Sequence, residues 1–493
     1  MKTRSILINL AVAAVWLTSM FFVYSRNYAR TSSAQLAGFQ TTSAPQMGTE
    51  RWYDIDMGNQ KIGYAMNTFN QSNLGYIFKD YSMLRLPMAG VTREILMDFY
   101  AVVDTDFALK NFTFGLSSDD YSTNIYGQVI GQNLELKIQS DSSASNMVIS
   151  APRGIYLPGT IPLILAAKGF PRGQFSLTSL DPISLSTSDM LVDVADESNI
   201  MANGRRFSVF KVKMTTSGVS ANSYITKDGM VVREEETGNM TMTLTAKEKA
   251  LDVPETVQNW DMLKTLAVGA VGQIDNPRQA DYLKVELDGI ENAGFNLEDD
   301  FQRVVSQSPL VIEIKPSGLR RSGIPSEKFV RAQALVQSDD PRIILKAKQI
   351  VGNIKSDSLQ IGAITNWVYA NVEKDYAISL PSAIEVLRVK KGDCNEHSAL
   401  YTALARSLGI PTKICLGIVY KDGLFYYHAW PAVYMNGRWL PVDPTFGQQL
   451  ADATHIKLLE GNYESTVGLM RVIGKLNVKI ISSSSATDLA ARQ

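Results

Sequence analysis

Residues 392–445 decide the fold and hold the most reactive side chains of the sequence. Three blocks stand out within them, which read Gly-Asp-Cys-Asn-Glu-His at 392–397, Phe-Tyr-Tyr-His-Ala-Trp at 425–430 and Gly-Arg-Trp-Leu-Pro-Val-Asp-Pro-Thr at 437–445. They supply Cys394, His428 and Asp443 in that order, each at the edge of a predicted helix or strand. A thiol nucleophile needs these three groups, because a base takes its proton and a carboxylate orients the base.

The first block predicts a helix whose first turn contains Cys394. Gly392 and Asp393 are turn and N-cap residue types, apolar residues follow at helical spacing, and Gly409 with Pro411 ends the helix. Free N–H groups at a helix start favour an anion, and together with a histidine they lower a thiol pKa from about 8.5 to roughly 3.5–7.5. The adjacent Asp393 carboxylate acts in the opposite direction and holds the thiol pKa up.

The second and third blocks predict strands that place His428 beside Asp443. Three strands are expected, at Lys413–Tyr420, Leu424–Tyr434 and Arg438–Val442. Asn436-Gly437 is a strong signal for a tight hairpin, so the last two strands are antiparallel neighbours. The helix can then pack against this sheet and bring Cys394 to His428, which predicts a catalytic triad of Cys394, His428 and Asp443.

Taken together, the three blocks resemble the core of the transglutaminase-like superfamily, in a bacterial membrane-anchored type. The resemblance covers roughly residues 336–470 and implies a papain-like fold. It implies that Cys394 is the nucleophile, His428 the general base and Asp443 the orienting carboxylate. Since the superfamily includes transglutaminases, peptidases, amidases and inactive members, the enzyme expected is a cysteine peptidase, an amidase or a protein-glutamine acyltransferase without a cofactor.

The remaining histidines and cysteine receive structural interpretations. His397 follows Cys394 by three residues on the same helical face and could compete as the base, but a base on the nucleophile's own helix cannot easily reach a separate carboxylate. His455 is interpreted as structural, and Cys415 as a small buried residue in an apolar strand. Neither a zinc-ligand spacing nor a calcium-loop pattern occurs, so no metal is predicted.

The composition is that of an ordinary globular protein of about three domains. The sequence has 493 residues and a formal net charge of −1, which gives no electrostatic basis for binding nucleic acid. Two cysteines make no disulfide framework.

The N-terminal region predicts attachment to a membrane. Ile6–Tyr24 is an uncharged, mainly apolar stretch of the length that spans a bilayer. We therefore expect a signal anchor at 1–30 and a flexible tether at 31–50, with cleavage near Ala29 or Ala34 as the alternative. The expected location is the inner membrane, crossed once, with the bulk of the protein periplasmic or otherwise extracytoplasmic.

The predicted fold class is therefore a multidomain α+β protein with an N-terminal transmembrane helix. Four further segments are expected after the tether: a large antiparallel β-sheet domain at 51–251, a small connecting β module at 252–337, a papain-like transglutaminase core at 338–481 and a disordered tail at 482–493. Asp340-Pro341 predicts the start of one helix, and Ser382 with Glu385 predicts a capping box for another.

Three functions are compatible with these patterns. The first is a membrane-anchored cysteine enzyme of the cell envelope that forms a thioester with a protein or peptide substrate and passes the acyl group to water or an amine. The second is a catalytically inactive binding or scaffold protein with a vestigial triad. The third is a β domain that binds lipid, lipoprotein or a partner protein and carries an accessory transglutaminase-like fold.

Overall fold

The computed structural model describes residues 47–485, apart from 119, 152–153, 218, 237–238, 256–260, 291–293, 377–378, 381 and 462. Its largest unit is one antiparallel sheet of 14 strands, between residues 51 and 245. The strands are β1 (Arg51–Met57), β2 (Gln60–Ser72), β3 (Gly75–Met88), β4 (Val91–Val103), β5 (Leu109–Ser118), β6 (Tyr121–Ile130), β7 (Asn133–Ser140), β8 (Ala144–Ser150), β9 (Gly173–Asp181), β10 (Ser186–Ala202), β11 (Arg205–Thr216), β12 (Val219–Ile225), β13 (Val231–Glu236) and β14 (Met240–Thr245).

Two meanders, β1–β8 and β9–β14, form this sheet and join where β1 pairs with β14. Several hairpins turn on two residues with positive φ, as at Ala89-Gly90 and Asn203-Gly204. Such turns match the twist of the flanking strands and therefore favour hairpins. Helix α1 (Ile161–Ala167) is buried along its whole length and shares one hydrophobic core with the sheet. Two short helices follow the sheet, α2 (Lys247–Leu251) and α3 (Met262–Thr265).

A second sheet of five strands combines segments from distant parts of the chain. Its order is β15-β25-β16-β18-β17, with β15 parallel to β25. The strands are β15 (Gly269–Val271), β16 (Ala280–Asp288), β17 (Gln302–Gln307), β18 (Leu310–Ile314) and β25 (Asn477–Ser485). Short 3-10 helices lie at Pro158–Thr160, Pro277–Gln279, Glu327–Phe329 and Tyr463–Val472.

The third unit packs helices on a four-stranded antiparallel sheet of order β23-β22-β21-β24. Its helices are α4 (Pro341–Val351), α5 (Asp357–Asn371), α6 (Ala383–Val389) and α7 (Cys394–Ser407). Its strands are β21 (Thr412–Lys421), β22 (Leu424–Met435), β23 (Arg438–Pro441) and β24 (His455–Glu460), beside a parallel pair of β19 (Glu373–Lys374) and β20 (Lys391–Gly392). Helix α7 packs on β21 and β22, and its residues Leu400, Ala403 and Leu404 belong to the hydrophobic core shared with these strands.

The predicted fold class, a multidomain α+β protein with an N-terminal transmembrane helix, needs correction. The structure is mostly β, since strands make up 51% of it. Among the described residues no helix is both long and apolar enough to cross a membrane. The helix predicted within residues 1–30 lies outside the described residues, as does the tether up to residue 46.

The connecting β module predicted at 252–337 is not a separate unit. Its sheet includes β25, which follows the third unit in sequence, and its apolar residues share one core with α4–α7. An apolar sheet face has to be buried against another element, and here the helices provide that element. Residues 482–485, expected in a disordered tail, are the end of β25 and pair with β16.

Both predicted helix starts are present, at Pro341 and Ala383, but only the first has the predicted side-chain cap. Asp340 caps α4 by accepting a hydrogen bond from the backbone N–H of Arg342 at 2.8 Å. Ser382 makes no side-chain cap on α6. The Glu385 carboxylate instead accepts hydrogen bonds from Ser140 Oγ at 3.0 Å and from Ser142 of the large sheet, so a tertiary contact replaces the local one.

Candidate active site

Helix α7 begins at Cys394, held there by a reciprocal pair of side chains. The Asp393 carboxylate accepts the backbone N–H of Asn395 at 2.7 Å, and Glu396 accepts that of Asp393 at 2.9 Å. Gly392 precedes them with φ of 143°, and a Cβ there would lie 2.4 Å from the Glu396 side chain. The predicted helix start is therefore confirmed, and glycine is required where the chain enters it.

The sulfur of Cys394 lies against strand β22 at the residue after His428. The backbone of Ala429 forms a hydrogen bond with the thiol sulfur, and Ser398 Oγ donates to the carbonyl oxygen of Ala429 at 3.1 Å. Two contacts of α7 therefore converge on one residue of the strand. Cys394 and His428 are both among the described residues, and no hydrogen bond joins them directly.

His428 is joined to Asp443, as predicted. Nε2 of His428 is 2.8 Å from Oδ2 of Asp443, and because a carboxylate only accepts, Nε2 carries the proton of this bond. In the neutral ring Nδ1 is then the basic nitrogen. The rings of Trp430 and Phe446 stack on the imidazole with centroids 6.0 and 5.2 Å away, which fixes its plane.

Gly417 lets the strands around His428 approach each other closely. It faces His428 in the pairing of β21 with β22. A Cβ at Gly417 would lie 2.0 Å from the carbonyl oxygen of Ile456 and 3.0 Å from the Trp430 ring. Only glycine fits there, and its small size brings β24 close to the site.

Asp443 is buried and accepts four hydrogen bonds. Oδ1 accepts the backbone N–H groups of Thr445 and Phe446 at 2.7 and 3.0 Å. Oδ2 accepts from His428 and also from Nε2 of His455 at 3.0 Å. Burial alone would raise the pKa of Asp443, but the two histidines outweigh it and hold the pKa well below its usual range.

Residues 346–444 match the family model of the transglutaminase-like superfamily. The chain carries a transglutaminase-like domain. This agrees with the expected family, and the match contains Cys394, His428 and Asp443.

The chain also matches animal proteins. It is 30% identical over 118 residues to kyphoscoliosis peptidase of Mus musculus, a match that covers 21% of this chain and 18% of the mouse protein. The human kyphoscoliosis peptidase is 29% identical over 130 residues, with 22% and 19% covered. The chain thus spans about a fifth of the length of these curated relatives.

One solved structure similar to this chain is a candidate cysteine protease from Cytophaga hutchinsonii. It is 17% identical with a TM-score of 0.29, and the similarity covers 42% of this chain and 85% of that one.

His455 was interpreted as structural, and this interpretation misses its contact with Asp443. Its ring lies at the start of β24, eleven residues after the end of the matched range, with Nε2 on the same oxygen that His428 uses. Phe446 was missed as well. The sequence has only three histidines, and this scarcity is the signal that points to His455. Two of the three contact one carboxylate.

The thiol of the transglutaminase-like domain is not acidified. Burial raises the pKa of Cys394 well above its usual range, and the Asp393 carboxylate raises it further, while the hydrogen bond from Ala429 lowers it. The expected lowering by the helix start and a histidine is therefore wrong in net direction, whereas the expected effect of Asp393 is confirmed. Near neutral pH the group is therefore a thiol and not a thiolate.

His397 is buried and bonds to the backbone. Nδ1 is 2.7 Å from the carbonyl oxygen of Asp393 and Nε2 is 3.2 Å from that of Val372. Burial lowers the pKa of His397. The ring therefore ties the start of α7 to the end of α5, in agreement with its interpretation as a packing residue.

The ligand atoms of His428, Asp443 and His455 lie within 4.8 Å of one another. Both Nε2 atoms point their N–H groups at one carboxylate oxygen, at 2.8 and 3.0 Å. Those lengths are ordinary N–H···O hydrogen bonds. The two imidazoles therefore act as hydrogen-bond donors to the carboxylate of Asp443, and we do not assign the cluster to a metal.

Proposed function

We propose that the transglutaminase-like domain is a cysteine enzyme that opens amide or peptide bonds of proteins or peptides through a thioester on Cys394. The observation that supports it best is the 2.8 Å bond from His428 Nε2 to the buried Asp443. That bond leaves Nδ1 as the base, beside the strand residue on which Cys394 packs.

In the proposed first step, Sγ of Cys394 attacks the carbonyl carbon while His428 Nδ1 takes the thiol proton. The backbone N–H of Cys394, free at the helix start, is the proposed donor to the oxyanion. When the C–N bond breaks, His428 returns the proton to the leaving amine and a thioester remains. Asp443 stabilises the imidazolium without taking its proton.

In the proposed second step, water attacks the thioester carbonyl while His428 takes a water proton, the C–S bond breaks, and the proton passes to the sulfur, which gives the free acid and restores the Cys394 thiol. Hydrolysis is favoured over transfer to an amine because the curated relatives of this domain are named peptidases. The expected extracytoplasmic location would put cell-envelope proteins within reach and stays a prediction.

The test compares three forms of the full chain on a set of peptides and peptide amides, with and without an added primary amine. Mass spectrometry then separates peptide cleavage, ammonia release and amine incorporation. Cys394→Ala should abolish all turnover. Cys415→Ala is the matched control, since that thiol is buried and burial raises its pKa to about 12.

Peptide cleavage that is lost only in Cys394→Ala would support the hydrolase. Amine incorporation without cleavage would replace it with a transglutaminase. If peptide cleavage, ammonia release and amine incorporation are all absent in the three proteins, the enzyme proposal fails and the alternative of an inactive binding protein is favoured.

A further inference from the structure

His455 lies between two groups that can only accept hydrogen bonds. Nε2 is 3.0 Å from Oδ2 of Asp443, and Nδ1 is 3.0 Å from the carbonyl oxygen of Asp452. The Asp452 carboxylate is also close, with Oδ1 at 3.4 Å from Nδ1. Satisfying both sides takes an N–H on each ring nitrogen, and an imidazole with two N–H groups is a cation.

His397 shows that two hydrogen-bond acceptors beside an imidazole are not enough to make the ring a cation. Its nitrogens also face two oxygens, but both belong to the backbone carbonyls of Asp393 and Val372. Burial lowers the pKa of His397, whereas for His455 the effect of burial is outweighed by Asp452 and Asp443, which raise the pKa to about 9. The carboxylates of Asp452 and Asp443 therefore explain why the pKa of His455 is raised while that of His397 is lowered.

Asp452 is itself fixed in place. Its Oδ2 forms an ion pair with a guanidinium nitrogen of Arg278 and accepts a hydrogen bond from Gln448 Nε2, each at 2.9 Å, and its Oδ1 accepts the backbone N–H of Thr454 at 2.9 Å. The backbones of Gln448 and Asp443 exchange two hydrogen bonds of 2.8 Å. The loop that carries Asp443 is therefore linked to the loop that carries Asp452.

Charges alternate along this chain of contacts. Arg278, Asp452, His455 and Asp443 follow one another as cation, anion, cation and anion, and His428 comes next. Among the described residues, the titratable groups in contact with His455 are Asp452, Asp443 and His428, whose ring centroid is 5.6 Å from that of His455. Arg278 also lies 4.6 Å from the Phe446 ring, which stacks on His428.

We infer that His455 is a doubly protonated positioning residue, which holds Asp443 ionised and aimed at His428. This inference rests on the proposed function, because the orientation of Asp443 toward His428 affects the reaction only if His428 is the base. Oδ1 is fixed by the backbone N–H groups of Thr445 and Phe446, whereas without His455 Oδ2 would keep only the bond from His428, so His455 is the second donor that fixes the oxygen facing the base. His455 touches neither substrate nor thiol and acts through Asp443.

The protonation of His455 can be measured without any substrate. The full chain is labelled with 15N-histidine, and the three imidazoles are assigned with His455→Gln and His397→Gln. Near neutral pH the two nitrogens of His455 should both give imidazolium shifts, while His397 in the same spectrum should be neutral. Asp452→Asn should move the titration of His455 to lower pH. A neutral His455 ring in the wild-type protein would overturn the inference.

The positioning role is measured by the rate at which a small activated ester acylates Cys394. His455→Gln keeps one donor and loses the charge, and we expect acylation about tenfold slower, as for other residues that orient a reactive histidine or its partner. Lys457→Gln is the matched control, because Lys457 is a buried cation on the same strand that bonds to Asp299 at 2.6 Å.

Equal slowing in both variants, or none in His455→Gln, would show that His455 has no specific role in aiming Asp443. Should His455→Gln not fold, Asp452→Asn is measured in its place, since it removes the charge behind the imidazolium. If the wild-type protein is not acylated at all, the proposed function fails, and the nitrogen shifts still decide whether His455 is a cation.

Discussion

At the scale of single residues, the site combines an ionised carboxylate with a thiol that resists ionisation. Asp443 accepts four hydrogen bonds, and His428 and His455 hold its pKa low. Cys394 has the opposite environment, since burial and Asp393 raise its pKa. The chemistry proposed for the domain therefore depends on a base that removes the thiol proton during attack rather than on a stable thiolate.

Asp393→Asn should make Cys394 more reactive. Asparagine caps a helix about as well as aspartate, so the helix start is kept while the negative charge beside the sulfur is removed. The pKa of Cys394 should fall, and alkylation by iodoacetamide near neutral pH should be about three to ten times faster. An unchanged rate across the pH range would mean that Asp393 does not control the thiol.

Because of His455, the free energy of unfolding should fall as the pH rises above neutrality. Its pKa is raised from 6.5 in the unfolded chain to about 9 in the folded one. Its contribution is therefore complete below about pH 6.5 and is lost as the pH rises through about 9. Urea unfolding should show a loss of about 1–3 kcal/mol over this range. The loss should be absent in His455→Gln, and an equal loss in both proteins would assign it to other groups.

At the scale of secondary-structure elements, helix α7 and strand β22 have to be locked together, because each carries one half of the reacting pair. Ser398 Oγ makes this link by donating to the carbonyl oxygen of Ala429, and both residues are buried. Ala429 also contacts the sulfur of Cys394. The hydroxyl of Ser398 therefore joins the helix of Cys394 to the strand of His428.

Ser398→Ala should lower the free energy of unfolding by about 1–3 kcal/mol, since it leaves a buried carbonyl without its donor. It should also slow acylation of Cys394. Ser407→Ala is the control on the same helix, where the hydroxyl bonds only to Leu404 of its own turn. Similar acylation rates in the two variants would mean that the Ser398 bond does not position the thiol.

The elements encoded by local sequence were predictable, and those decided by distant contacts were not. Asp393 with Cys394 specified the start of α7, and Asn436-Gly437, with φ of 53° and 78°, specified the hairpin that leads to Asp443. The contact of His455 with Asp443 depends on the loop closed by Gln448 and on the pairing of β24 with β21. Neither leaves a periodic pattern in the sequence.

At the scale of the whole molecule, the large sheet supports the segment that leads into the nucleophile helix. Tyr121 OH at the start of β6 donates to the carbonyl oxygen of Lys391 at 2.6 Å, three residues before Cys394. Lys391 Nζ also forms an ion pair with Asp120 at 2.8 Å. The sheet at 51–245 therefore contacts the segment that leads into the candidate active site.

Tyr121→Phe should slow acylation of Cys394 by a few fold, because the segment at Lys391 loses a buried donor while the ring still fills its place. Tyr126→Phe is the matched control on the same strand, where the side chain is exposed. An equal rate in both variants would show that the sheet does not support the nucleophile segment.

The most direct test of the central claim is intact-protein mass spectrometry of the full chain during its reaction with a small activated ester. The expected result is one acyl group on Cys394, formed about 10²–10⁴ times more slowly in His428→Gln, which lacks the base. Acylation at another residue, or an equal rate on Cys394 without His428, would contradict the account.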